Sequence, residues 1–224
     1  RPFHPCDMMN LDRSSDEEDF MFSKMYGADV SGIEARVICI ETDVSDGLPV
    51  FDMVGYLASA VKEARERVRI AIRHIGIRFP AKRITVNLSP ANLRKEGTSF
   101  DLPIAISLLT AFGHLSCECT EHMMFIGELS LDGSVRGVNG VLAMILAGRE
   151  QGIRRFVVPE ENVKEGAILE DVQVFGMSTL RQTVEFLRGE IPMEPVHIPF
   201  ATWYEEEETE DFSDVMGQGA VKRA

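Results

Sequence analysis

Leu57, Val61, Ala64, Val68, Ala71 and Ile75 recur at steps of three and four, the spacing that lines one face of an α-helix. The opposite face carries Lys62, Glu63, Arg65, Glu66, Arg67, Arg69 and Arg73, with Glu63 and Arg67 at helical i,i+4 spacing. Gly76 is the predicted stop, because glycine readily takes the left-handed conformation that ends a helix. Ahead of this helix, Ser23 to Phe51 reads as successive strands: Ala35-Arg-Val-Ile-Cys-Ile40 is β-branched and apolar, and Ser45-Asp-Gly-Leu-Pro49 is turn chemistry.

After the helix, Ile84-Thr-Val-Asn-Leu88 alternates as a half-buried strand should, and Leu102 to Phe112 is apolar enough for a buried helix. Met123 to Leu129 and Ser134 to Val138 suggest a hairpin around Leu131-Asp-Gly133, since Asp-Gly favours a tight turn. A helix is predicted from Val141 to Gln151, a strand from Arg154 to Val158, another from Val172 to Phe175, and a last helix from Leu180 to Leu187. Early strands followed by interleaved helices and strands predict an α+β or α/β chain with a mixed sheet packed by helices.

The pattern also divides the chain. Residues 1–20 show neither period and carry the acidic cluster Asp16-Glu17-Glu18-Asp19, so they read as a disordered leader or as sequence upstream of a domain. The organised domain spans residues 21–189. Past Gly189 come Ile191-Pro, Glu194-Pro and Ile198-Pro, extended dipeptides because the residue before proline avoids helix, and then an acidic run. Residues 190–210 therefore read as a linker, and residues 211–224 as the cut-off start of a further module.

Composition adds little to this and charge adds more. Apolar residues make up 45% and charged residues 26%, so an ordinary core is available. The formal net charge of −13 argues against a general grip on nucleic acid, which needs clustered Lys and Arg. Much of that charge sits in Glu205 to Asp214, and no Lys or Arg occurs between Arg188 and Lys222. Four cysteines, unevenly placed, do not read as a disulfide framework. With no secretory pattern and no apolar run long enough for a bilayer, the expectation is a cytoplasmic protein without a membrane partner.

Four places invite a chemical reading. Lys95-Glu-Gly-Thr-Ser99-Phe-Asp101 puts a serine in a glycine turn at the mouth of a helix, a position suited to a nucleophile; the bland reading is a turn hydroxyl, with Asp101 as the helix N-cap. His114, Cys117, Cys119 and His122 offer ligands that zinc accepts, but Cys-x-Cys is tighter than the usual knuckle, and no metal is expected. Arg65, Arg69, Arg73, Lys82 and Arg83 are the candidate nucleic-acid contacts, set against a solvated helix face partly neutralised by Glu63 and Glu66. A phosphate loop needs a Gly-Lys pair, and the sequence contains none, so no nucleotide site is expected within these residues.

Taken together, Lys95 to Ala105, Phe125 to Arg136 and Asp211 to Gln218 resemble the magnesium-chelatase-like AAA+ proteins of the ComM or YifB type, in that order along the chain. The resemblance implies an α/β sandwich like the Lon protease domain and the second domain of a small-subunit ribosomal protein. It implies an accessory domain joined to its own AAA+ module, which would use ATP and Mg2+ and act on DNA as a homo-hexameric branch-migration motor. The Lon pattern Lys-Asp-Gly-Pro-Ser-Ala-Gly lies over Lys95 to Asp101, with Ser99 on the nucleophile. The base of that pattern, a lysine early in the next helix, falls on Leu142 in Asn139-Gly140-Val141-Leu142, and leucine accepts no proton. Phe100 and Asp101 also replace the small residues that follow the serine. The site is therefore read as degenerate and Ser99 as part of a scaffold turn. The alternatives are a serine-dependent peptidase and a metal-chelatase subunit.

Overall fold

The computed structural model describes residues 22–198 apart from Ile33 and Glu121. The expectations for the leader, the acidic run and residues 211–224 lie outside those residues.

In chain order the strands are β1 (Phe22–Ser31), β2 (Glu34–Ser45), β3 (Val50–Val54), β4 (Tyr56–Leu57), β5 (Arg83–Ser89), β6 (Arg94–Lys95), β7 (Met123–Phe125), β8 (Glu128–Leu129), β9 (Val135–Arg136), β10 (Arg155–Pro159) and β11 (Gln173–Met177). The helices are α1 (Ser59–His74), α2 (Asp101–Ala111), α3 (Cys117–Thr120), α4 (Val141–Glu150), α5 (Val163–Gly166) and α6 (Leu180–Leu187). Seven strands form one sheet in the order β11-β10-β7-β1-β2-β5-β3. In it β2 runs antiparallel to β1 and β5, while the other neighbours pair in parallel. The expected mixed sheet packed by helices is what the chain forms.

The period-two rule assigns the helices to the two faces. On β10, Val157 joins the cluster built by α1, α2 and α6, while Phe156 and Val158 join the one built by α4 and α5. On β11, Phe175 and Val174 divide in the same way. The chain is thus an α/β sandwich with two cores separated by the sheet. Towards β5 and β3 the second face holds polar groups instead, with Asn87 donating to Glu41 at 2.9 Å and Arg83 lying 3.9 Å from Asp52.

The central helix of the first core is α2, whose eleven residues are all buried. Such a helix has no polar face, which is why, after Asp101, its sequence shows an apolar run with only Ser107 and Thr110 as punctuation. Both hydroxyls are satisfied: Thr110 donates to Ile106 O at 2.9 Å, and Ser107 shares protons with Ser23 and Thr42 at 2.8 and 2.6 Å.

Two expectations need correction. Met123 to Leu129 does not form one arm of a hairpin. Met123–Phe125 is an all-buried strand of the main sheet, and only Glu128–Leu129 pairs with Val135–Arg136. The chain breaks between them at Gly127, where φ is 155° and an added Cβ would sit 3.0 Å from Val135. Asp101 is not the cap of α2 either. That position belongs to Phe100, and Asp101 is already helical, its carboxylate turned sideways onto other elements.

Candidate functional site

The turn from Glu96 to Ser99 is pinned on every side. Backwards, Lys95 pairs with Leu57 through β6 and β4, and its carbonyl accepts the Ala58 N–H at 3.0 Å. Sideways, the Glu96 N–H donates to Asp29 Oδ2 at 2.9 Å, tying the turn to the end of β1. Forwards, Ser99 O accepts the Gly127 N–H at 3.1 Å, and Gly127 O accepts the Leu102 N–H at 3.0 Å. Gly97, with φ of 75°, supplies the left-handed step that a side chain would resist.

This turn forms one wall of an open cleft of roughly 610 Å3. The end of β1, with Asp29 and Val30, and the segment Gly137 to Gly140 leading into α4, together with Met144, also line it. Glu128 is a further lining residue.

Ser99 lines this cleft, yet it is only 4% exposed and its hydroxyl donates to Ala28 O at 2.9 Å. Leu142, onto which the Lon pattern would place its lysine, is half-buried on α4 and is not among the residues that line the cleft. Lys95 is fully buried, and its ammonium group donates to the carbonyls of Pro90 and, at 2.9 Å, Leu93, so it serves the preceding loop. Burial pushes its pKa below the ordinary lysine value, and the Asp29 carboxylate offsets part of that. Asp29 shifts the opposite way: burial raises its pKa, against the pull of the N–H groups of Glu96 and Val30.

Beneath the turn lies a contact that sequence spacing did not suggest. Arg67 reaches from α1 to grip Asp101 with two hydrogen bonds, Nε to Oδ2 at 2.7 Å and Nη2 to Oδ1 at 3.0 Å. The same Oδ2 accepts the Leu129 N–H at 3.1 Å. Burial raises the Asp101 pKa while Arg67 pulls it back, and the bond to Asp101 raises that of Arg67. The Glu63–Arg67 pair read from the i,i+4 rule is only a 3.9 Å outer contact. The available signal was an arginine one position from the buried Val68, on the edge of the apolar stripe.

The nucleic-acid candidates are not one free patch. Arg65 pairs with Glu66 at 3.4 Å, Lys82 with Asp46 at 3.5 Å and Arg83 with Asp52 at 3.9 Å, while Arg69 and Arg73 are exposed on the outer side of α1. The segment that holds His114, Cys117, Cys119 and His122 contains the single-turn helix α3, and Cys119 is disulfide-bonded. Among the described residues, no group of three or more His, Cys, Asp or Glu side chains is gathered in a way that would hold a metal ion. No helix among them is long and apolar enough to cross a membrane.

A mixed α/β sandwich with a serine-bearing turn at the mouth of its central helix defines the class, and sequence comparison places the chain within it. Residues 40–162 match the family described as subunit ChlI of Mg-chelatase, and the chain belongs to that family. It is a ComM/YifB-type, magnesium-chelatase-like protein. It is 38% identical over 208 residues to the competence protein ComM of Haemophilus influenzae, covering 89% of this chain and 40% of the relative. It is 40% identical over 193 residues to YifB of Salmonella typhimurium, covering 86% and 37%. A more distant relative, the peroxisomal Lon protease homolog 2 of Caenorhabditis elegans, is 27% identical over 170 residues, covering 73% and 22%. The chain thus spans about 40% of the length of the ComM relative.

Proposed function

We propose that this chain is a non-catalytic accessory domain of an ATP-driven, DNA-remodelling AAA+ protein, acting in the cytoplasm and carrying a Lon-type site that has lost its base. ATP and Mg2+ would be bound by its own AAA+ module, and DNA would be engaged by a homo-hexamer of the whole protein. The similarity to a competence protein supports the DNA role, and the similarity to a Lon homologue supports the origin of the cleft.

One observation carries the reading of inactivity. The Ser99 hydroxyl is spent on the Ala28 carbonyl, and the nearby lysine is spent on the carbonyls of Pro90 and Leu93. A serine attacks at neutral pH only when a base takes its proton, and a backbone carbonyl is too weak a base to do so. A fluorophosphonate probe is expected to leave Ser99 unlabelled under conditions that label an active serine hydrolase. Stoichiometric labelling at Ser99, abolished by Ser99→Ala, would overturn the reading and restore the peptidase alternative. For the motor role, the full-length protein should drive ATP-dependent branch migration at the same rate with Ser99→Ala, whereas loss of that activity would assign the hydroxyl a working part.

A further inference from the structure

The lining of the cleft beside Ser99 specifies an occupant. Its charged lining groups are the carboxylates of Asp29, Glu96 and Glu128, with no Lys, Arg or His lining it among the described residues. Of the cations nearby, Arg67 holds Asp101 and Lys95 holds two carbonyls, while Arg94 pairs with Glu96 at 3.1 Å and offsets part of that carboxylate's charge, so Asp29 and Glu128 are the principal negative groups. Such a cleft repels phosphate and favours an ammonium or guanidinium group. Val30, Val138 and Met144 supply the apolar surface along which the aliphatic stem of a lysine or arginine lies.

A second feature concerns the backbone. β1 pairs with β7 only at Tyr26 opposite Met124, and beyond that point it runs on to Ser31 along the cleft with no strand on that side among the described residues. The Ala28 carbonyl on this edge is taken by Ser99. An open strand edge accepts an extended chain by main-chain hydrogen bonding. Gly32 and Gly97, which have no heavy atom within 4 Å of where a Cβ would stand, leave room for another backbone to approach the lining. A volume of roughly 610 Å3 holds a few residues of peptide.

We infer that this cleft is a recognition site for an extended, lysine- or arginine-bearing peptide segment, which pairs along β1, places its cation among Asp29, Glu96 and Glu128, and leaves uncleaved. The last clause rests on the reading of Ser99 as inactive. The test is calorimetric titration of the 224-residue chain at low salt with an end-blocked nonapeptide alternating lysine and alanine. Saturable 1:1 binding is expected, weakened about tenfold by Glu128→Gln and by Asp29→Asn. Binding should be absent when glutamate replaces lysine and reduced when alternate peptide nitrogens are methylated. If Asp29→Asn does not melt cooperatively, Glu96→Gln replaces it, because that side chain is 56% exposed and tolerates change. No saturable binding, equal binding of the lysine and glutamate peptides, or equal affinity in the folded variants would overturn the inference. Equal binding of the methylated peptide would overturn the pairing along β1. Mass spectrometry of the recovered peptide separates the two readings: cleavage would overturn the inactivity of Ser99 while leaving a basic-peptide site in place.

Discussion

Arg67 and Asp101 show how a residue's role can be invisible in its sequence neighbourhood. Asp101 has no exposed surface and Arg67 keeps only 20% of its side chain in solvent, so their two-pronged bond excludes most water. Removing one partner strands the other charge, at a cost of about 3–5 kcal/mol for a buried pair. Arg67→Ala should therefore lower the unfolding free energy by an amount in that range, read from the urea midpoint. Adding Asp101→Asn should cost little more, giving a large coupling in a double-mutant cycle. Additive losses would show that the two groups act separately. The motif around Ser99 was legible as a turn at a helix mouth. That Asp101 would reach sideways was not, because its partner lies 34 positions earlier, on a helix whose other charges face solvent.

At the scale of the element, the helices were readable in proportion to how much of their surface is polar. The alternation of faces on α1 marked its span closely, and α6 was found from Leu180 to Leu187 as expected. Its start has a clear chemical cause: Thr179 accepts the Gln182 N–H at 3.1 Å, while the Gln182 side chain accepts the Ser178 N–H at 2.9 Å. Thr179→Ala should cost about 1 kcal/mol, whereas Thr179→Ser should cost little. Equal melting temperatures for all three proteins would count against the cap. The hairpin around Leu131 was misjudged in extent because Met123-Met-Phe125 is buried on both faces. A run buried on both faces has lost the alternation that identifies a strand's partner. The short α3 and α5, four residues each, carry too few positions to show a period.

At the scale of the whole molecule, the cleft lies where β1, the turn before α2 and the start of α4 meet, and Asp29 is the titratable group caught between them. Its folded pKa is raised by burial, so the folded state holds its proton to higher pH than the unfolded state does. The stability this gives is fully present below the ordinary aspartate value, about pH 4, and is lost as pH rises through the raised value. Asp29→Asn should accordingly gain stability relative to the unaltered chain as thermal melts move from about pH 4 to pH 7. A gap that shrinks over that interval would mean that the N–H groups of Glu96 and Val30 outweigh burial.

The sequence by itself determined the class of fold and the identity of the turn, because amphipathic periods and glycine positions are local properties that any packing must respect. It also determined that no lysine follows Gly140 closely enough to match the Lon pattern. Only the tertiary structure decided which groups each side chain uses: Ser99 with Ala28, Lys95 with its own loop, Arg67 with Asp101. Those partnerships join residues distant in sequence, or compete for one donor among several acceptors within reach, and spacing along a chain carries no information about either.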